Sequence, residues 1–150
     1  MCILKNLVEL NLFGQIDIPS KVLANMILQM DNLKKLNLAF TKANREVAQA
    51  IMNSCNKLEY LSLESCQLIY DDCINDLSSN SSIRFSLKYL NLDNVFISDE
   101  IVEECLFKFP NLVEFNCIGL LSQLTKLYKN NLNYESDEDR ETINKKKNSI

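Results

Sequence analysis

The segment "LEYLSL" sets Leu58, Leu61 and Leu63 at the spacing Leu-x-x-Leu-x-Leu, and that spacing returns along the chain. "LVELNL" places Leu7, Leu10 and Leu12, "LKKLNL" places Leu33, Leu36 and Leu38, and "LKYLNL" places Leu87, Leu90 and Leu92. "LVEFNC", with Leu112, Phe115 and Cys117, is a fifth and degenerate copy. The first leucines stand at 7, 33, 58, 87 and 112, so the steps are 26, 25, 29 and 25 residues. Along a strand, side chains alternate between faces. The second and third leucines of each copy therefore point one way, into a core, and the residue between them points out. A single copy cannot bury such a row. Stacked copies make a parallel sheet with one continuous apolar face, and parallel neighbours need a crossover, usually a helix.

The intervening segments read as those helices. In "SKVLANMILQM", Leu23, Met26, Ile27 and Met30 fall at helical spacing. Val47, Ala50, Ile51 and Cys55 do so in "NREVAQAIMNSC", and Ile101, Val102, Cys105, Leu106 and Phe109 in "SDEIVEECLFKF". "DDCINDLSS" is a shorter stretch with Cys73, Ile74 and Leu77. Start signals stand at Pro19 and Ser20, at Asn44, at Asp71, and at Ser98 ahead of Asp99 and Glu100. "LLSQLTKLYKNNL" predicts a last helix over the C-terminal end of the array. Gly14 and Gly119 share one place, two residues after the third apolar position, where a strand must turn.

A repeat of this length and signature resembles a leucine-rich repeat. The expected fold is an α/β right-handed solenoid, with a curved parallel sheet on its concave face and helices on its convex face. About five repeats fill a domain over 1–128. Residues 129–150, "KNNLNYESDEDRETINKKKNSI", lose the period and run from an acidic stretch into three lysines, which predicts a disordered, charged tail. "MCILKN" resembles the end of a preceding helix running into Leu7, with no polar cap, although solenoids need one. Either further repeats precede it in a longer array, or a partner covers that end.

Charge and residue types narrow the function. The chain has no His, so His-dependent triads and Cys/His zinc ligation are excluded. Cys2, Cys55, Cys66, Cys73, Cys105 and Cys117 contain no Cys-x-x-Cys pair; they predict free structural thiols, no metal and a reducing compartment, cytoplasmic or nuclear. Two glycines cannot build a phosphate-cradling loop. A net charge of −4 and a pI near 4.9 lack the basic footprint of a nucleic-acid binder. The longest apolar runs are too short for a bilayer. No nucleophile–base pair or cofactor motif appears, so the expectation is a binding protein without a cofactor and not an enzyme.

"CNKLEYLSLESCQLIYDD" and "LKYLNLDNVFISDEIVEECLFKFPNLVEF" resemble the cysteine-containing subclass of leucine-rich repeats. Cys55, Leu58, Leu61, Leu63, Cys66, Ile69 and Asp71 or Asp72 follow its pattern, Cys-Pro-x-Leu-x-x-Leu-x-Leu-x-x-Cys-x-x-Ile-x-Asp. Thr41 and Val95 stand where its second Cys would be. The resemblance covers about residues 1 to 120. It implies substrate recognition in an F-box-like ubiquitin-ligase adaptor, although the F-box, a separate helical module, is not among these 150 residues. The alternative is a scaffold or inhibitor-type repeat protein with no link to ubiquitin.

The outward strand residues form rows. One runs Glu9, Lys35, Tyr60, Tyr89 and Glu114, the next Asn11, Asn37, Ser62, Asn91 and Asn116, and the third Phe13, Ala39, Glu64, Asp93 and Ile118. A fourth, Val8, Lys34, Glu59, Lys88 and Val113, alternates in sign at its middle and predicts cross-strand ion pairing. Tyr60 and Tyr89 hold the same place in adjacent copies and should lie side by side. With Glu64 and Asp93 in one flanking row and Ser62 and Asn91 between, they are the expected partner-binding residues, suited to a basic segment of a protein partner.

Overall fold

The computed structural model describes residues 3–118. Cys2, Gly119, the expected last helix and the 129–150 tail lie outside the described residues. Five strands, β1 (Glu9–Asn11), β2 (Lys35–Asn37), β3 (Tyr60–Ser62), β4 (Tyr89–Asn91) and β5 (Glu114–Asn116), form one all-parallel sheet in chain order. The register follows the sequence repeat. Leu10, Leu36, Leu61, Leu90 and Phe115 are successive partners across the sheet. Helices α1 (Ser20–Ile27), α2 (Arg45–Ser54), α3 (Asp71–Ser79), α4 (Ser81–Ser86) and α5 (Asp99–Lys108) occupy the crossovers. The protein is therefore an α/β chain in which each repeat supplies one strand and at least one crossover is helical.

The leucines of the strands and the apolar positions of the helices share one core. Leu36, Leu38, Leu58, Leu61, Leu63, Leu90 and Leu92 are fully buried together with Leu23, Ile27, Val47, Ile51, Ile74 and Cys105. Leu7, Leu10 and Leu12 in the first copy, and Leu112, Phe115 and Cys117 in the fifth, are only half covered, because β1 and β5 are the outer strands of the described sheet. In copies two, three and five the position three residues before the first leucine is also apolar and inward, with Met30, Cys55 and Phe109 buried there; in copy four it is the exposed Arg84. Val47 N–H bonds the Asn44 side chain and Ile101 N–H bonds Ser98, so these two residues are the helix caps that the sequence indicates. Pro19 precedes α1 with no side-chain cap, and Ser20 Oγ instead donates to the Lys42 carbonyl of the next copy.

Two readings of the sequence are corrected. Asp71 does not cap α3: Tyr70 holds the cap position, and the Asp71 carboxylate accepts from Ser98 N–H in the next copy. The 29-residue step also contains a further helix, α4, whose only buried side chain is Ile83. Asn80 makes it possible. Its side-chain oxygen accepts from Ser82 and Ile83 N–H, while its amide nitrogen donates to the Met52 carbonyl at 2.7 Å.

The strand exit is built alike in copies one to four. The third residue after each central strand leucine contributes its carbonyl to the ladder, accepting from the preceding copy. Gly14, Phe40, Ser65 and Asn94 N–H donate to Ala39, Glu64, Asp93 and Ile118 O at 2.8–2.9 Å. Each of these donors has positive φ, at 73, 57, 55 and 57° respectively. The turn thus demands a left-handed residue, and glycine occupies only the first of the four. One residue later, Thr41, Cys66 and Val95 turn inward and are buried. Cys66 Sγ lies 3.0 Å from the Leu38 carbonyl, with Thr41 Oγ1 on the same oxygen at 2.7 Å. The cysteine after the repeated leucines is a core residue tying two copies together, and a hydroxyl in copy two does similar work.

Candidate protein-binding face

One face of the sheet is covered by the helices; the other carries the outward rows. Strand register puts Tyr60 opposite Tyr89 and Ser62 opposite Asn91. The two tyrosine rings stack in parallel, centroids 4.2 Å apart and planes 3° from coincident. That agrees with the side-by-side placement expected from the sequence. Burial, the neighbouring Tyr89, and then the carboxylates of Glu114 and Glu64 push the Tyr60 phenol up to about 12. Both rings are half-buried and present polar ends. Asn116 Nδ2 donates to the Tyr89 hydroxyl at 3.3 Å.

The column between the tyrosines and the acids is less accessible than the alternation of faces implies. Ser62 keeps 2% of its surface and Asn91 7%. Ser62 is short and sits between two longer amides, Asn37 and Asn91, on its neighbours. Ser62 and Asn91, expected among the partner-binding residues, thus form the nearly covered floor of the face. The asparagine oxygens are already used within their own copies. Asn11, Asn37 and Asn91 Oδ1 accept from Phe13, Ala39 and Asp93 N–H two residues on, at 2.8–3.0 Å. Each is an Asx turn that guides the chain out of its strand. Asn91 Nδ2 then donates to Glu64 Oε2 at 3.3 Å, and Asp93 Oδ1 accepts from Ile118 N–H. Glu64 and Asp93 are thereby held beside the tyrosines.

The charged residues divide the face. Along β1, β2 and the entries of β3 and β4, charges are matched: Lys35 pairs with Glu9 at 2.7 Å, and Glu59 takes Lys34 at 3.6 Å and Lys88 at 2.7 Å. The alternating row is the cross-strand pairing expected of it, and these pairs hold Glu59 below the usual carboxylate range. Toward β5, Glu64, Asp93 and Glu114 accept only from neutral donors, and no described lysine or arginine lies within ion-pair distance of any of them. Glu114 and Asn116 belong to the same face and were outside the residues singled out from the sequence; their row membership was the available signal. The remaining strong ion pairs lie on the helix side, where Arg45 forks onto Asp76 and reaches Asp72 at 2.9 Å, joining α2 to α3.

Cys55, Cys66, Cys73 and Cys105 are buried free thiols, and burial is the main cause pushing Cys55 and Cys105 up to about 12 and Cys73 to about 11. Cys117 is half-buried. Among the described residues no three His, Cys, Asp or Glu side chains are grouped to hold a metal ion, and no helix is long and apolar enough to cross a membrane.

No protein-family model matches the sequence, and no curated protein matches it. Among solved structures the chain is similar to one described as leiomodin-1 actin-binding site 2 (ABS2). The TM-score is 0.50 at 17% identity, over 95% of this chain and 88% of that one. At that identity the likeness speaks to the α/β fold.

Proposed function

We propose that the chain is a leucine-rich-repeat solenoid of the cysteine-containing kind, and that it is a protein-interaction module acting through the open, concave face of its sheet. The observation that carries this reading is the parallel Tyr60–Tyr89 stack on a sheet face that no helix or strand among the described residues covers. Large aromatic side chains with polar ends are the usual anchors of protein interfaces. The unneutralised carboxylates beside the stack favour a basic segment of the partner. The fold supports the repeat reading through its strand register, its repeated left-handed turn and the buried Cys66. The leiomodin neighbour is described as an actin-binding site; the shared fold does not transfer that partner to this chain.

The resemblance of residues 55–72 to cysteine-containing repeats supports a narrower version, substrate recognition within an F-box-like ubiquitin-ligase adaptor. The scaffold or inhibitor-type reading shares the same face and differs in what the chain is attached to. Both are binding roles, in the cytoplasm or nucleus, without catalysis.

The test is photo-crosslinking in cells, with a crosslinking amino acid placed at Ile118 beside the stack or at Gln49 on α2. Adducts to a defined protein set should form from Ile118, and Tyr60→Ala/Tyr89→Ala should abolish them while circular dichroism stays unchanged. Adducts from Gln49 alone would move the interface to the helices and sink the proposal.

A further inference from the structure

Building on the reading of the sheet face as a protein-binding surface, we infer that its β3–β5 half is a seat for an arginine-bearing extended segment, selective for arginine over lysine. Three features of the geometry combine. First, Tyr60 covers one face of the Tyr89 ring, so the other face of that ring is turned toward β5. Second, the residue opposite Tyr89 on β5 is Glu114. A planar cation lying against that second face of Tyr89 would continue the stack and meet the Glu114 carboxylate at its edge. That carboxylate takes only an amide hydrogen bond, from Asn116 at 3.3 Å. Third, two further carboxylates, Glu64 and Asp93, stand two rows away, just past the ends of β3 and β4 and beyond the floor of Ser62 and Asn91.

Guanidinium fits this arrangement better than ammonium. It is planar, is weakly hydrated, stacks on aromatic faces and forks onto carboxylates; ammonium is a compact, strongly hydrated point charge. The rows also set a spacing. Adjacent side chains on one face of an extended segment are two residues apart, about 6.6–7 Å. The Glu64 and Asp93 row lies two such steps from the tyrosine row, so arginines four residues apart, a spacing that an alternating segment includes, place one against Tyr89 and Glu114 and the other near Glu64 and Asp93. The other carboxylates of the outward rows do not compete, because Glu9 is matched by Lys35, and Glu59, one residue ahead of β3, by Lys34 and Lys88.

The experiment uses the full chain and three fluorescent nonapeptides of alternating sequence, Gly-Arg, Gly-Lys and Gly-citrulline, titrated by anisotropy at low salt. The expected order is arginine over lysine by about fivefold or more, with no binding of the uncharged citrulline peptide. Tyr60→Leu/Tyr89→Leu should bring the arginine and lysine affinities together. Glu64→Gln/Asp93→Asn/Glu114→Gln should weaken both by about tenfold and flatten the salt dependence. That triple variant keeps the acidic run at 135–141, so a cationic peptide held by the run would bind it undiminished, which overturns the inference. Equal affinity for arginine and lysine peptides in the native chain also overturns it. If no cationic peptide binds, yet Tyr60→Ala/Tyr89→Ala still abolishes the crosslinks from Ile118, the protein-binding reading stands and the arginine seat falls. Tyr60→Phe/Tyr89→Phe keeps the stack and should keep the arginine preference, which separates a fold defect from a lost ring.

Discussion

Replacing Leu61 by alanine tests the arrangement on which the open face depends. Leu61 is the centre of β3, fully buried, with the equally buried Leu36 and Leu90 as its partners on either side. Its backbone is held between two strands, and Leu63, Ile74 and Leu58 in the same core are buried as completely. The surroundings thus have little freedom to collapse into the space the side chain leaves. Buried Leu→Ala changes cost about 2–5 kcal/mol, rising with the cavity that remains. A site fixed on both sides belongs in the upper half, about 3–4 kcal/mol. That is a large part of the roughly 5–15 kcal/mol stability of a domain. The neighbouring Ser62 is nearly as buried but faces the other way, and its hydroxyl makes no hydrogen bond to another described residue. Ser62→Ala should cost less than about 0.5 kcal/mol. Urea denaturation followed by circular dichroism gives both values from the midpoint and slope. Equal losses, or a Leu61→Ala cost under about 1 kcal/mol, would mean that β3 does not face as described.

At the strand exit, Gly14→Ala should destabilise by about 1 kcal/mol. The added Cβ meets nothing within 4 Å, so the cost is conformational, set by φ 73°; a gain in thermal stability would contradict the left-handed turn. The four buried thiols should resist an aromatic disulfide reagent at pH 8 and react fully after unfolding; rapid native labelling of Cys55 or Cys105 would contradict their burial. Because burial raises Cys55, Cys73 and Cys105 above the ordinary 9.0, the folded chain holds those protons longer. Their contribution to stability is complete below about pH 9 and is lost as pH climbs toward about 12, measurable as a falling urea midpoint. Asp76 behaves in the opposite sense. Its hydrogen bond from Arg45 lowers it from 3.8, so its contribution is present above that pH and fades as pH falls through the folded value. Asp76→Asn should flatten the acid limb of the stability profile, and an unchanged limb would show the fork to be inert.

The leucine spacing made the sheet legible, because only a register that pairs like with like keeps every second side chain dry. It also placed Tyr60 beside Tyr89, since equal places in adjacent copies become neighbours. Depth was not legible. Alternation says which way Ser62 and Asn91 point, but their cover comes from side chains on adjacent strands. The helix α4 was hidden because "SSIRFS" has one buried apolar residue and hence no period. Gly14 announced the left-handed turn at the strand exit, whereas Phe40, Ser65 and Asn94 adopt the same φ because the ladder hydrogen bond requires it. Phe40 is the costliest of these, a bulky residue at φ 57°. Its ring is partly exposed and rests against Phe13 at 5.2 Å. The local rule fails there for a reason that residue types alone do not reveal.

The position of the tyrosine pair within the sheet bears on how such a face can bind. β3 is the middle strand of the described five and β4 is paired on both sides, and their inward leucines are fully buried where those of β1 are not. The stack therefore stands on interior strands with a closed core beneath them. Its floor, Ser62 and Asn91, is closed, and Asn91 uses its side-chain oxygen to hold the backbone of Asp93 and its nitrogen to hold Glu64. The rings restrict one another's rotation by contact. Ordering a long side chain at an interface costs about 0.5–1.5 kcal/mol each, a loss that a fixed surface has already taken during folding. For the rings and the two carboxylates that saving adds up to a few kcal/mol, comparable to the truncation cost of a single hot-spot residue. A partner segment then supplies most of the ordering itself, which favours a short extended stretch over a large preformed surface.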